Sequence, residues 1–119
     1  MSASPNARGH GTGHFIAQRG TAIALALLAS WFTIAAALSM PDAGYGSAVE
    51  FLTPPMNAVG VMLLVAAGLY HMAIGMDEII ADYIAKPSTR RTLSFLNNAF
   101  AFVLGAAGLF AVLRVSFGV

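Results

Sequence analysis

The sequence predicts an all-α integral membrane protein with three transmembrane helices, its N-terminus cytoplasmic and its C-terminus external. Three observations predict this. Hydrophobic residues make up 58% of the 119-residue chain and charged residues only 9%, against roughly 25% charged in soluble domains. The mean hydropathy is +0.76. The formal charges, six Lys or Arg and five Asp or Glu, are absent from three long runs. A soluble globular enzyme would need a polar surface that so few charges cannot supply. The chain has no cysteine, which excludes a disulfide scaffold, cysteine-ligated zinc and a self-contained iron–sulfur cluster. With a net charge of +1 and scattered cations there is no nucleic-acid footprint. Membrane lipid is the expected surrounding.

The elements follow in chain order. Residues 1–14 are rich in Ser, Gly and Asn and lack an apolar face, so a flexible leader is expected there, followed by a membrane anchor over 15–119. Gly20–Pro41 is free of charge for 22 positions, enough for a bilayer-crossing helix of about 20 residues. It begins too late and runs too long for a signal peptide, and Ser39-Met40-Pro41 offers no clear cleavage site. The stretch Pro41–Glu50 (PDAGYGSAVE) is acidic and rich in turn formers, which predicts an external loop. Phe51–Met76 is charge-free for 26 positions and Thr92–Leu113 for 22. Pro54 and Pro55 suit the opening turn of the second helix, which is expected to run on through Asp82 and stop near Pro87. Ser88 or Thr89 is the expected cap of the third. The predicted helices span about 16–40, 55–84 and 90–114.

Orientation comes from the basic residues. Arg8 and Arg19 precede the first helix, and Lys86, Arg90 and Arg91 lie between the second and third. The intervening loop carries Asp42 and Glu50 and no cation. The positive-inside rule therefore places the N-terminus and the second loop in the cytoplasm. Arg114 is the one dissenting charge and can snorkel outward.

Polar groups within a membrane are costly and mark candidate sites. At about 100° per residue, Gly60, Gly75, Glu78 and Asp82 all fall within roughly 40° of His71 on the second helix, with Gly68 close by. Glycines there suit close helix packing or the approach of something flat and bulky. His71 lies about 16 Å along the axis from Asp82. It is either a hydrogen-bonding residue between helices or an axial haem ligand. The chain's other histidines, His10 and His14, precede the first helix, so a second ligand would come from another chain. Asp77 reads as a solvated terminal residue. Tyr83 beside Asp82 reads either as an interfacial aromatic or as part of a site that binds and protonates a quinone. Arg19 is either an interfacial anchor or a partner for a haem propionate. Trp31 and Phe32 are expected to meet lipid or a partner, and Asn97 and Asn98 to bond between helices.

The string His71-Met-Ala-Ile-Gly75-Met-Asp-Glu-Ile-Ile-Ala-Asp82-Tyr83 resembles the H-x-x-x-G-x-x-x-x-[IVL]-x-D-Y signature of succinate dehydrogenase hydrophobic membrane anchor subunits. Gly11–Leu25, including Arg19, resembles the opening of that family's first helix. Asp77 and Glu78 depart from it, standing where aromatic or amide residues are frequent. The resemblance implies a subunit without catalytic residues of its own, in respiratory complex II, a succinate:quinone oxidoreductase of the tricarboxylic acid cycle and aerobic electron transport. It implies a second hydrophobic anchor of cytochrome b type as partner, with iron–sulfur and flavoprotein subunits docked on the cytoplasmic side of a bacterial inner membrane. His71 would ligate the iron of a haem b shared with the partner anchor, and Arg19 would lie near its propionates. Tyr83 and Asp82 would belong to a site for ubiquinone or menaquinone. The alternatives are the anchor of a quinol:fumarate reductase, or a small proton-conducting transporter subunit using the Glu78/Asp82 face.

Overall fold

A computed structural model describes the backbone of residues 5–119 and the side chains of residues 13–119. Four helices follow one another: α1 (Pro5–Ser39), α2 (Tyr45–Leu52), α3 (Pro55–Tyr83) and α4 (Pro87–Phe117). Gly13–Ser39 of α1, all of α3 and all of α4 are long and apolar enough to cross a membrane. The 29 residues of α3 span about 43 Å at 1.5 Å each, more than the bilayer core of about 30 Å. The backbone of α1 is helical from Pro5, well before the expected start near 16. The leader expected over 1–14 falls mostly on residues whose side chains lie outside the described ones, and Met1–Ser4 lie outside them altogether.

Two further differences from expectation have local reasons. α4 starts at Pro87, with Lys86 as N-cap and no side-chain cap. Proline's fixed φ suits the first helical position, so neither Ser88 nor Thr89 is needed there. The connection from α3 is thereby cut to Ile84, Ala85 and Lys86. Arg90 reaches back across it, donating from Nε to Ile84 O at 3.0 Å and from Nη2 to Ala85 O at 3.4 Å. A cation at the end of α3 also complements the helix dipole.

The second difference is α2, which occupies what the turn-rich composition predicted to be open loop. Asp42 organises its start: Oδ1 accepts from the Gly44 backbone N–H at 2.8 Å and from Ser47 Oγ at 2.7 Å. Both bonds hold the Asp42 carboxyl below the usual carboxylate range, the Ser47 bond most strongly. Ser47 and Phe51, one turn apart, are the buried residues of α2. The Phe51 ring meets Trp31 at 6.3 Å and Phe32 edge-on at 5.8 Å between centroids. At the far end, Asn57 Nδ2 donates to Phe51 O at 3.0 Å. Thus α2 folds back as a plug over one end of the bundle.

α3 is the central helix. It packs along both α1 and α4, which scarcely meet each other. Along the α1 seam Trp31 meets Gly60, Leu25 meets Gly68, Thr21 bonds His71, and His14 and Gln18 bond Glu78. Along the α4 seam Val65 meets Gly108, Leu69 meets Gly105, and Asp77 bonds Ser94, Asn97 and Asn98. Both pairings are antiparallel. A Cβ at residue 60 would stand 2.4 Å from the Trp31 ring, so only glycine admits the indole there. Trp31 and Phe32, expected to meet lipid or a partner, are half-buried, with part of each ring against Phe51 and that of Trp31 also against Gly60.

Candidate functional site

The polar residues of α3 divide between its two seams, because residues seven apart share a face while a step of one turns by about 100°. On the α1 side stand His71 and Glu78; on the α4 side stands Asp77. Facing them on α1, His14, Gln18, Thr21 and Leu25 recur at helical spacing and form one stripe.

His71 is half-buried. Its Nδ1 lies 2.8 Å from Thr21 Oγ1, and Nε2 has no hydrogen-bond partner among the described residues. Gly68, three residues back, sits in ordinary contact with Leu25 Cδ2 at 3.6 Å from where its Cβ would be. Gly75, one turn on, has nothing within 4 Å of that point. The glycine face proposed from sequence therefore serves two purposes: Gly60 and Gly68 seat α1, and Gly75 opens a gap beside His71.

Two turns beyond His71, nearer the end of α3, Glu78 accepts from two α1 side chains. His14 Nε2 is 2.7 Å from Oε1, and Gln18 Nε2 donates to Oε2 at 3.1 Å. Asp77 is no solvated terminus. Its Oδ1 accepts from Ser94 Oγ at 2.9 Å and Asn97 Nδ2 at 3.0 Å, and its Oδ2 from Asn98 Nδ2 at 3.1 Å. Asn97 also donates to Ala73 O at 3.0 Å. Asn97 and Asn98 thus bond between helices as expected, with a carboxylate as their shared acceptor.

Asp82 and Tyr83 end α3, both exposed, Tyr83 at 81%. They project beyond the contacts of the bundle. Arg19 lies two residues from Thr21 and so about 160° round α1 from it. Its guanidinium carbon stands 5.2 Å from the Phe15 ring centroid, an exposed cation–π contact. The structure brings His71, Thr21, Glu78, His14 and Gln18 together and leaves Arg19, Asp82 and Tyr83 on open surface at the same end. Thr21 and Gln18 went unnoticed in the sequence reading. The signal was the helical stripe on the first span, visible only once α1 is paired with the polar face of α3.

Comparison with known proteins places this geometry in a lineage. Residues 4–108 match the family of succinate dehydrogenase/fumarate reductase transmembrane subunits. The chain belongs to that family. Relatives from Rickettsia species carry the name succinate dehydrogenase hydrophobic membrane anchor subunit. The one from Rickettsia felis is 33% identical over 106 residues, covering 89% of this chain and 88% of the relative. That from Rickettsia bellii is 30% identical, over 86% of this chain and 81% of its own length. That from Rickettsia conorii is 31% identical, over 78% and 74% respectively. The matched region takes in α1, α2, α3 and most of α4, so every residue of the site lies within what the transmembrane-subunit family shares in length.

Proposed function

We propose that the chain is the hydrophobic membrane anchor of a bacterial succinate dehydrogenase, that His71 supplies one axial ligand to a haem b, and that Asp82 and Tyr83 form part of a quinone-reduction site. One observation carries the haem reading: among the described residues the half-buried imidazole of His71 is engaged at Nδ1 alone, beside the gap at Gly75. The donor chemistry fits. Among the described residues there is no group of three or more His, Cys, Asp or Glu able to hold a bare metal ion, whereas a haem needs a single imidazole from this chain. A second hydrophobic anchor of cytochrome b type would provide the other. Bound there, a haem b supplies a reversible one-electron centre. Arg19 is exposed but lies about 160° round α1 from Thr21, so it would pair with a propionate only by reaching round the helix with its long side chain.

Tyr83 and Asp82 stand exposed at the C-terminal end of α3, where iron–sulfur and flavoprotein subunits would dock from the cytoplasm. Tyr83 would donate its phenolic proton toward a ubiquinone or menaquinone carbonyl, without adding a permanent charge. Asp82 beside it would hold a proton or orient a water. A proton-conducting transporter using the Glu78/Asp82 face is less well supported, because Glu78 is taken up by bonds to His14 and Gln18.

The test is purification of the assembled complex in mild detergent with a reduced-minus-oxidised spectrum. Flavoprotein and iron–sulfur subunits should co-purify with b-type haem. In the His71→Ala complex the low-spin bis-histidine signature should be lost. A colourless homo-oligomer would overturn the whole reading, and an unaltered spectrum in the mutant would overturn the ligand.

A further inference from the structure

Thr21 has one hydroxyl proton, and the geometry locates it. Thr21 Oγ1 lies 2.7 Å from the Ala17 carbonyl oxygen, with a longer branch of 3.2 Å to Gln18 O. A carbonyl brings no proton, so so short an approach of two oxygens requires the hydroxyl's own. With that proton directed at its own helix, Oγ1 meets His71 Nδ1, 2.8 Å away, as an acceptor. The proton between them belongs to Nδ1. A neutral imidazole has only one such proton, so Nε2 keeps its lone pair.

We propose that Thr21 is a positioning residue for His71: its hydroxyl holds the ring as the Nδ1–H tautomer and directs Nε2 outward as the donor to a metal. The proposal rests on the reading of His71 as a haem b ligand. A ligating histidine that gives its far N–H to an acceptor becomes a stronger donor. A stronger donor favours the ferric over the ferrous state, so the Thr21 bond lowers the midpoint potential of the bound haem. The two residues sit on different helices, and their meeting depends on the α1–α3 register that the Trp31–Gly60 and Leu25–Gly68 contacts fix. The packing of α1 on α3 therefore sets a redox property.

The experiment uses the assembled complex with Thr21→Val, Thr21→Ser and His71→Ala, read by equilibrium redox titration and low-spin electron paramagnetic resonance. Thr21→Val keeps the shape and removes the hydroxyl. Its haem should stay low-spin, with a raised midpoint potential and displaced g-values. Thr21→Ser keeps the hydroxyl and should return both close to native. The proposal is overturned by a Thr21→Val complex with native potential and g-values, and equally by a Thr21→Ser complex displaced as far as the valine variant, which would make the effect one of packing. If the valine variant does not assemble, Thr21→Ala against Thr21→Ser makes the same comparison. Failure of the underlying reading is seen separately, as a native low-spin signal surviving in His71→Ala.

Discussion

Two side chains of α3 show how differently exposed and paired polar groups act at a membrane. Tyr83 is 81% exposed, so replacing it with Phe removes a donor without disturbing any contact within the chain. Loss of one hydrogen bond costs about 0.5–1.5 kcal/mol, rising to roughly 3 kcal/mol where it acts on charge developing in a transition state. Quinone reduction by the Tyr83→Phe complex should fall between a few-fold and about a hundredfold. Succinate oxidation by an artificial acceptor drawing electrons at the flavin should stay near wild type. Equal loss of both activities, or of neither, would make Tyr83 an interfacial anchor. Asp77 is the opposite case, because three side chains of α4 converge on its carboxylate. Asp77→Ala strands those donors and should destabilise the assembled complex by about 1–3 kcal/mol, seen as a lower temperature of thermal inactivation in detergent. Asp77→Asn retains an acceptor oxygen and should lose less. A neutral alanine variant would show that the cluster holds no helices together.

At the scale of elements, the three spans were legible because hydropathy is additive along a helix and a bilayer demands a minimum length. What was hidden was anything that depends on a second element. The short helix α2 is written in residues that also make turns, and only the pairing of Asp42 with Ser47 and the burial of Phe51 against Trp31 and Phe32 decide for helix. Likewise His71 was visible as a costly polar residue, but Thr21, an ordinary helix threonine, acquires meaning only when α1 is laid against α3. Asp77 was misread for the same reason, since its partners lie on the following span. The Asp42 link also carries a pH signature. Its carboxyl is depressed in the folded chain, so the stabilisation of α2 is fully present above the unfolded pKa of about 3.9. It is lost as pH falls through the lower folded value. The protection factors of the α2 amides, which remove the intrinsic pH dependence of exchange, should therefore be unchanged between pH 5 and 7 and fall only in stronger acid. In Asp42→Ala, exchange should be faster than wild type even at neutral pH. Equal protection in the two chains at pH 7 would show that Asp42 does not organise the helix.

Across the whole molecule, the basic residues gather at one end, with Arg114 as the exception. The antiparallel seams put Arg19, Lys86, Arg90 and Arg91 at one end of the bundle and Asp42 and Glu50 at the other. A reporter enzyme active only outside the membrane should be silent when fused within residues 86–91 and active within 42–50. The reverse pattern would invert the orientation and move Asp82 and Tyr83 to the wrong side for a cytoplasmic partner. The accessible surface is 8356 Å², where a compact soluble monomer of 12.3 kDa would show about 6,100 Å². The buried apolar residues are few, among them Ala58, Ala73, Ile80 and Ala101. A chain so thinly cored has its outer faces made for lipid and neighbouring subunits.

The split of α3's polar groups between two seams also imposes an order in time. Synthesis runs from the N-terminus, so α1 already exists when α3 enters the bilayer, and Glu78 and His71 find Gln18, His14 and Thr21 waiting. Asp77 finds nothing, because its last partner, Asn98, lies 21 residues further on. At about 5–20 residues per second, the ribosome needs roughly one to four seconds to supply it. During that interval Asp77, six residues from the end of α3, keeps its carboxylate at the aqueous boundary, where it costs far less than the roughly 2.5–3.5 kcal/mol of a helix centre. Arrival of α4 then brings Ser94, Asn97 and Asn98 to it, so the last helix to be made completes the polar pairing of the one before it.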